Sequence, residues 1–205
     1  MHVTFIKYFL RCLFMTLKTF LSRFLFISVL GVLLHFTYEW SGDNPIVALF
    51  SAVNESTWEH LKLLFFPMLL LTIIELLFTE KRQLPSNYLF ARTIGILSGM
   101  AFIVIAFYTL TGVFAKLPDA VNIALYFLGV FLALCIENKI NRGNSQNHSA
   151  FAAVILLTLT IAFFVFTNYP PSIGLFANPV LTSFHRFEGA DCILRYALHG
   201  KALLF

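Results

Sequence analysis

The chain has 205 residues, of which 59% are hydrophobic, 17% aromatic and only 12% charged, with a formal net charge of +4. A soluble domain carries about a quarter charged residues, so the surplus of Phe, Leu and Ile reads as lipid-facing and helix-packing surface rather than as an aqueous core. No basic face on a soluble domain is visible, which excludes a nucleic-acid partner. Cys12, Cys135 and Cys192 are too far apart for a zinc knuckle or a disulfide framework.

Residues 1–23 are apolar but carry Lys7, Arg11, Lys18 and Arg23. On a helix the first three fall within about 40° of one another. The other faces hold Phe5, Phe9, Phe14 and Leu17, which predicts a basic amphipathic helix in the inner headgroup region. The basic residues run too deep for the n-region of a signal peptide and no small-x-small cleavage site follows, so the segment is read as uncleaved.

The first span is predicted over 24–40, short enough that Arg23 or Lys18 would snorkel. Ser41-Gly42-Asp43-Asn44-Pro45 ends it with turn chemistry. Ile46 to Val53 is apolar but too short to cross a bilayer, so it is expected to lie at the interface or re-enter. The second span, 56–78, opens on a capping box with Ser56 as N-cap and Glu59 reaching back to its amide. Pro67 inside it should kink the helix or loosen a turn.

The third span is predicted over 88–114, where Gly95 and Gly99 are spaced for close helix approach. The fourth covers 120–136 and the fifth 150–167, which Tyr169-Pro170-Pro171 stops. Residues 169–205 read as a tail, since Arg195, His199 and Lys201 argue against a sixth span. No repeat of fixed period appears. The expected fold is therefore an all-α integral membrane bundle of about five transmembrane helices over 24–168. An amphipathic N-terminal helix precedes it, and a re-entrant or interfacial segment joins the first two spans.

With five spans, one side collects Lys7, Arg11, Lys18, Arg23, Lys81, Arg82, Arg92, Lys139 and Arg142, and the other only Lys62 and Lys116 close to the spans. The basic side is expected to be cytoplasmic. The protein then sits in a cell membrane with its N-terminus inside and its C-terminal tail outside. Trp40 and Trp58 match an aromatic belt at one depth.

Four of the ten acidic residues fall in the polar stretch His35–Lys62, which carries Glu39, Asp43, Glu55, Glu59, His60 and Lys62 beside His35. So few ionisable groups near a membrane core mark this stretch as the candidate site. His35 and Glu39 are four apart on one helical face. Glu55, Glu59 and Lys62 form a stripe at the start of the next span, with His60 pointing about 100° from Glu59. Imidazole and carboxylate suit Zn²⁺ or another divalent metal. In that reading His35, His60 and Glu55 are ligands and Glu39 or Glu59 is the general base. Tyr38, Trp40, Asp43, Asn54, Trp58 and Lys62 complete the polar cluster.

The architectural reading stands beside it: Glu59 caps a helix, Glu59 pairs with Lys62, and the tryptophans anchor the belt. Glu75 and Glu137 lie near the inner ends of their spans, where Arg92 or Lys139 is the expected partner.

HFTYEWSG followed by AVNESTWEHLKLLFFPM resembles the signature of a family of small polytopic membrane proteins, mainly bacterial, of unknown function. The matching residues are His35, Tyr38 to Gly42, Val53 to Lys62 and Pro67, and YPPSIGLFANP is similar to the family's ending. The resemblance implies architecture, in a bacterial inner membrane, and no activity. Residues from Val180 onward depart from it.

Three functions stay open. One is a metal site supporting hydrolysis of a lipid or envelope substrate. Another is a small proton-coupled transporter using Glu75 and Glu137. The last is a structural or partner-binding membrane protein in which the cluster only shapes a re-entrant loop; under each reading the lipid bilayer is the expected partner.

Overall fold

The computed structural model describes residues 2–80, 84–114, 117–142 and 148–177, with the side chains of 2–16 left aside. The described residues are all-helical. Helix α1 spans His2–Trp40, α2 Pro45–Ala48, α3 Thr57–Phe78, α4 Tyr88–Phe114, α5 Asp119–Asn141 and α6 Ser149–Asn168, and a 3-10 turn follows at Gly174–Phe176. All but α2 contain a stretch long and apolar enough to cross a membrane. In hydrocarbon each backbone amide must be satisfied within its own segment, which is why such runs become uninterrupted helices. The tail 178–205, residues 143–147 of the loop before α6, and Lys81, Arg82 and Lys116 fall outside the described residues.

Helix α3 is the axis of the bundle. Every residue from Leu61 to Met68 is buried, and α1, α4, α5 and α6 all pack against it. A segment covered on all sides needs no polar face, which fits its apolar sequence. The closest pairing is α4 with α5. A Cβ on Gly95 would stand 2.6 Å from the Ala133 carbonyl, and one on Gly99 2.8 Å from the Gly129 carbonyl. The Gly95/Gly99 spacing thus works against a reciprocal Gly129/Ala133 spacing on α5, and backbones meet where side chains would hold them apart.

Pro67 has no N–H, so the Leu63 carbonyl loses its intrahelical partner. The Tyr126 hydroxyl of α5 stands in, 3.3 Å from Leu63 O and 3.1 Å from Ile27 O on α1. Gly31 leaves the room for this: a Cβ there would lie 1.9 Å from the Tyr126 hydroxyl and 2.4 Å from Leu63 O. The proline therefore marks a waist where three helices touch.

Several expectations change. Helix α1 has no break at Arg23; residues 2–16 continue into the first span, so a separate basic amphipathic helix is not resolved as an element of its own. Leu17–Trp40, 24 residues, is long and apolar enough to cross a membrane. It has length enough without a snorkelling Arg23, which turns inward instead. The fourth span extends past Ile136 to Asn141 because Glu137 is paired inside the bundle. Between α1 and α3 the chain makes the short α2 and a tight loop, with Ala48, Ser51 and Ala52 buried. Trp40 is 68% exposed and fits a belt, but Trp58 does not. It is packed at 4.6 Å from Phe163 and 4.9 Å from Phe176, because α6 and the 3-10 turn cover the start of α3.

Candidate functional site

The capping chemistry at the start of α3 positions the first candidate group. Ser56 is the N-cap, its hydroxyl accepting from the Glu59 N–H at 3.3 Å. The reciprocal half of the capping box is not formed. The Ser56 amide donates to Asn54 Oδ1 at 2.8 Å, and Glu59 turns the other way. Glu55 is therefore not on the helix but in the loop ahead of it, 51% exposed. It does not share the helical stripe of Glu59 and Lys62, and its carboxylate meets His60 of the first turn.

His60 meets it there. Its Nδ1 lies 2.9 Å from the Ser56 carbonyl, which can only accept, so Nδ1 carries the proton. In the neutral ring Nε2 is then bare, and Nε2 faces Glu55 Oε2 at 3.4 Å. His35, from the facing turn of α1, brings its Nε2 to 3.9 Å from Glu55 Oε1. The two imidazoles are 5.2 Å apart between ring centres. One ligand atom from each of His35, Glu55 and His60 lies within 4.8 Å of the others.

Acceptor atoms facing one another repel unless positive charge lies between them. A proton on an imidazole or a cation coordinated by all of them supplies it. The hydrogen bond from His60 Nδ1 to a backbone carbonyl is the outer-shell contact that fixes a metal-binding tautomer. Zn²⁺ with N and O ligands at about 2.0–2.2 Å needs the ligand atoms about 3.3 Å apart, a closing of up to about 1.5 Å. The half-exposed Glu55 side chain can make most of it by rotation. Where a proton on His60 Nε2 supplies the positive charge, its hydrogen bond, with the nearby imidazoles, holds the Glu55 carboxyl below the usual carboxylate range, against the opposing effect of partial burial.

The other candidates are placed differently. Glu59 is 2% exposed and turned into the protein, where Oε2 accepts from Lys62 Nζ at 2.6 Å and from the Val53 N–H at 3.1 Å. Lys62 is wholly buried and donates also to the carbonyls of Ala48 at 2.9 Å and Ser51 at 3.3 Å. That pair is a clamp on the loop, with Glu59 Oε2 committed to Lys62 and the Val53 amide. Glu39 is exposed, one helical turn beyond His35 and within electrostatic reach of it. Trp40 stacks on Phe36 at 5.8 Å, and Phe36 sets its ring edge-on to His35 at 4.9 Å. Tyr38 contributes its backbone amide, and Asp43 sits exposed in the turn at φ 59° beside Gly42 at φ 67°.

A second polar cluster occupies the other end, about 18 Å from the first along α1 at 1.5 Å per residue. Arg23 of α1 reaches Glu75 Oε1 of α3 at 2.7 Å and Glu137 Oε1 of α5 at 3.3 Å. Arg92 of α4 reaches Glu75 Oε2 at 2.7 Å and Glu137 Oε2 at 2.8 Å, the latter off the N–H direction. Tyr88 donates to Glu75 at 2.6 Å, and the Arg92 guanidinium lies 5.4 Å from the centre of its ring. Each arginine contacts both glutamates, so the four charges close a neutral square across four helices. Arg92 was an expected partner; Arg23 was not, because on the linear chain it looks like a flanking charge.

A protein-family model described as a family of unknown function (DUF6512) matches residues 12–185. No curated protein and no solved structure matches the chain.

Proposed function

The chain belongs to this family of unknown function, and we propose that it is a multi-pass membrane protein that binds a divalent cation of the zinc class through His35, Glu55 and His60. The observation that carries the reading is the convergence of His35 Nε2 and His60 Nε2 on the two oxygens of Glu55, with His60 Nδ1 committed to the Ser56 carbonyl. Two imidazoles and one carboxylate match the donor set of catalytic zinc sites that keep a position open. The solvent-exposed side of Glu55 leaves that position accessible. A metal there would polarise a bound water at neutral pH. Glu39, exposed and on the His35 side of α1, is the group available to take its proton; buried Glu59 is not.

We assign the substrate class to a lipid or envelope ester, since the triad stands at the end of the bundle beside exposed Phe36 and Trp40. In this reading the protein resides in a bacterial inner membrane. The basic residues face the cytoplasm and the triad faces outward. A transporter would need a polar route joining the two clusters. Against it, the waist between them is closed by Gly31, Leu63 and Tyr126 in direct contact.

The test is metal content of the detergent-purified full chain by elemental mass spectrometry, beside His35→Ala and His60→Ala, each confirmed helical and monodisperse. The reading expects one zinc per chain after zinc loading and dialysis, lost in both variants. A wild type with no metal above background, or variants that keep it, removes the reading.

A further inference from the structure

We infer that Ser51 is the positioning residue of the His35–Glu55–His60 site, setting the separation of the two helices that carry the histidines; this rests on the metal-binding reading above. Ser51 lies in the apolar loop between α2 and α3 and is wholly buried. Its hydroxyl donates to the Leu34 carbonyl and accepts from the Tyr38 N–H at 3.0 Å. Leu34 and Tyr38 are the two ends of one turn of α1, and His35 stands on that turn. The hydroxyl thus bridges the same carbonyl and amide that an α-helix pairs with each other.

The backbone of the same residue reaches the other helix. The Ser51 carbonyl accepts from Lys62 Nζ at 3.3 Å, and Lys62 is two residues beyond His60 on α3. Lys62 also holds the Ala48 carbonyl, and its partner Glu59 holds the Val53 N–H, so the loop is fastened to α3 on both sides of Ser51. Glu55 leaves this loop four residues later. One residue therefore ties α1 to α3 at the level of the triad, and all three ligands hang from the elements it joins.

A loop that only covered the end of the bundle would do so as well with Ala at this position. A hydroxyl is required because the group must donate and accept at once at a wholly buried position. Ligands must be held to about half an ångström for tight binding. Loss of an outer contact of this kind typically costs 10–100-fold in metal affinity.

The experiment titrates the detergent-purified full chain with Co²⁺, reads the visible d–d bands, and then displaces cobalt with zinc. Ser51→Ala is expected to weaken Co²⁺ binding about 10–100-fold, with one site still filled at saturation and the d–d bands altered. Thr72→Val is the control: it deletes a buried hydroxyl on α3, about 18 Å along the helix from His60, and should leave affinity and spectrum unchanged. Ser51→Cys keeps the volume with a weaker donor, is expected to fall between, and takes the place of Ser51→Ala if that variant does not fold. Affinity and spectrum unchanged in both Ser51 variants overturn the inference while leaving the metal site standing. So does an equal loss in Thr72→Val, which would make the effect one of general stability. A wild type that binds no cobalt overturns both together.

Discussion

Replacing Arg92 with Met unbalances the square of charges between α1, α3, α4 and α5. Arg92 is wholly buried and contacts Glu75 and Glu137 at 2.7 and 2.8 Å. A pair of unit charges about 4 Å apart is worth about 4 kcal/mol at an effective dielectric of 20, so roughly 8 kcal/mol of gross attraction disappears with two contacts. Part is returned because the arginine no longer has to be desolvated, and removing one partner of a buried pair costs about 3–5 kcal/mol net. Arg23 remains, but one cation then serves two carboxylates, one of them on Glu137 at 1% exposure.

The double variant Arg92→Met/Glu137→Gln removes one charge of each sign and leaves the Arg23–Glu75 pair at 2.7 Å. It should be more stable than Arg92→Met alone by about 1–3 kcal/mol. The assay is reversible unfolding in mixed detergent and SDS micelles, followed by circular dichroism for the wild type, both single variants and the double. An Arg92→Met cost below about 1 kcal/mol, or a double variant no better than Arg92→Met, would refute the reasoning, because the square would then be a hydrated surface arrangement.

Three further outcomes are expected. Tyr126→Phe leaves the Leu63 carbonyl opposite Pro67 without a donor and should lower stability by about 1–3 kcal/mol in the same assay, whereas Tyr108→Phe, on a partly exposed face of α4, should change little. Gly95→Ala drives a methyl to 2.6 Å from the Ala133 carbonyl, so α4 and α5 must part, at a cost of about 1–3 kcal/mol; faster proteolysis of the folded protein is the simplest readout. The lowered pKa of Glu55 gives a sign to pH dependence. Its contribution is complete above the ordinary carboxylate pKa and is lost as pH falls through the lowered one. Thermal unfolding scanned downward from pH 7 should therefore show a step below the usual carboxylate range that is absent in Glu55→Gln.

Reading from residues to site succeeds here where the chemistry is local. Glu59 and Lys62 pair three apart on one helix, and Ser56 caps the amide three residues on, as their spacing implies. It fails where an element boundary changes the geometry. The helical stripe expected of Glu55, Glu59 and Lys62 does not include Glu55, which lies ahead of the N-cap and faces His60 directly. It fails again where partners are distant in the chain. Glu137 is 114 residues from Arg23, and Ser51 is a single polar residue in an apolar run, without meaning until α1 is laid beside it.

The number of spans, their polar interruptions and the concentration of ionisable groups between the first two follow from hydropathy and turn chemistry. The bilayer imposes those on any chain, because an unpaired backbone amide in hydrocarbon is too costly to leave exposed. Which charges neutralise which, and which three ligand atoms converge, were decided only by the packing of helices. Side-chain electrostatics in a low-dielectric interior act over a few ångströms, and the distances that matter lie between residues the chain itself keeps far apart.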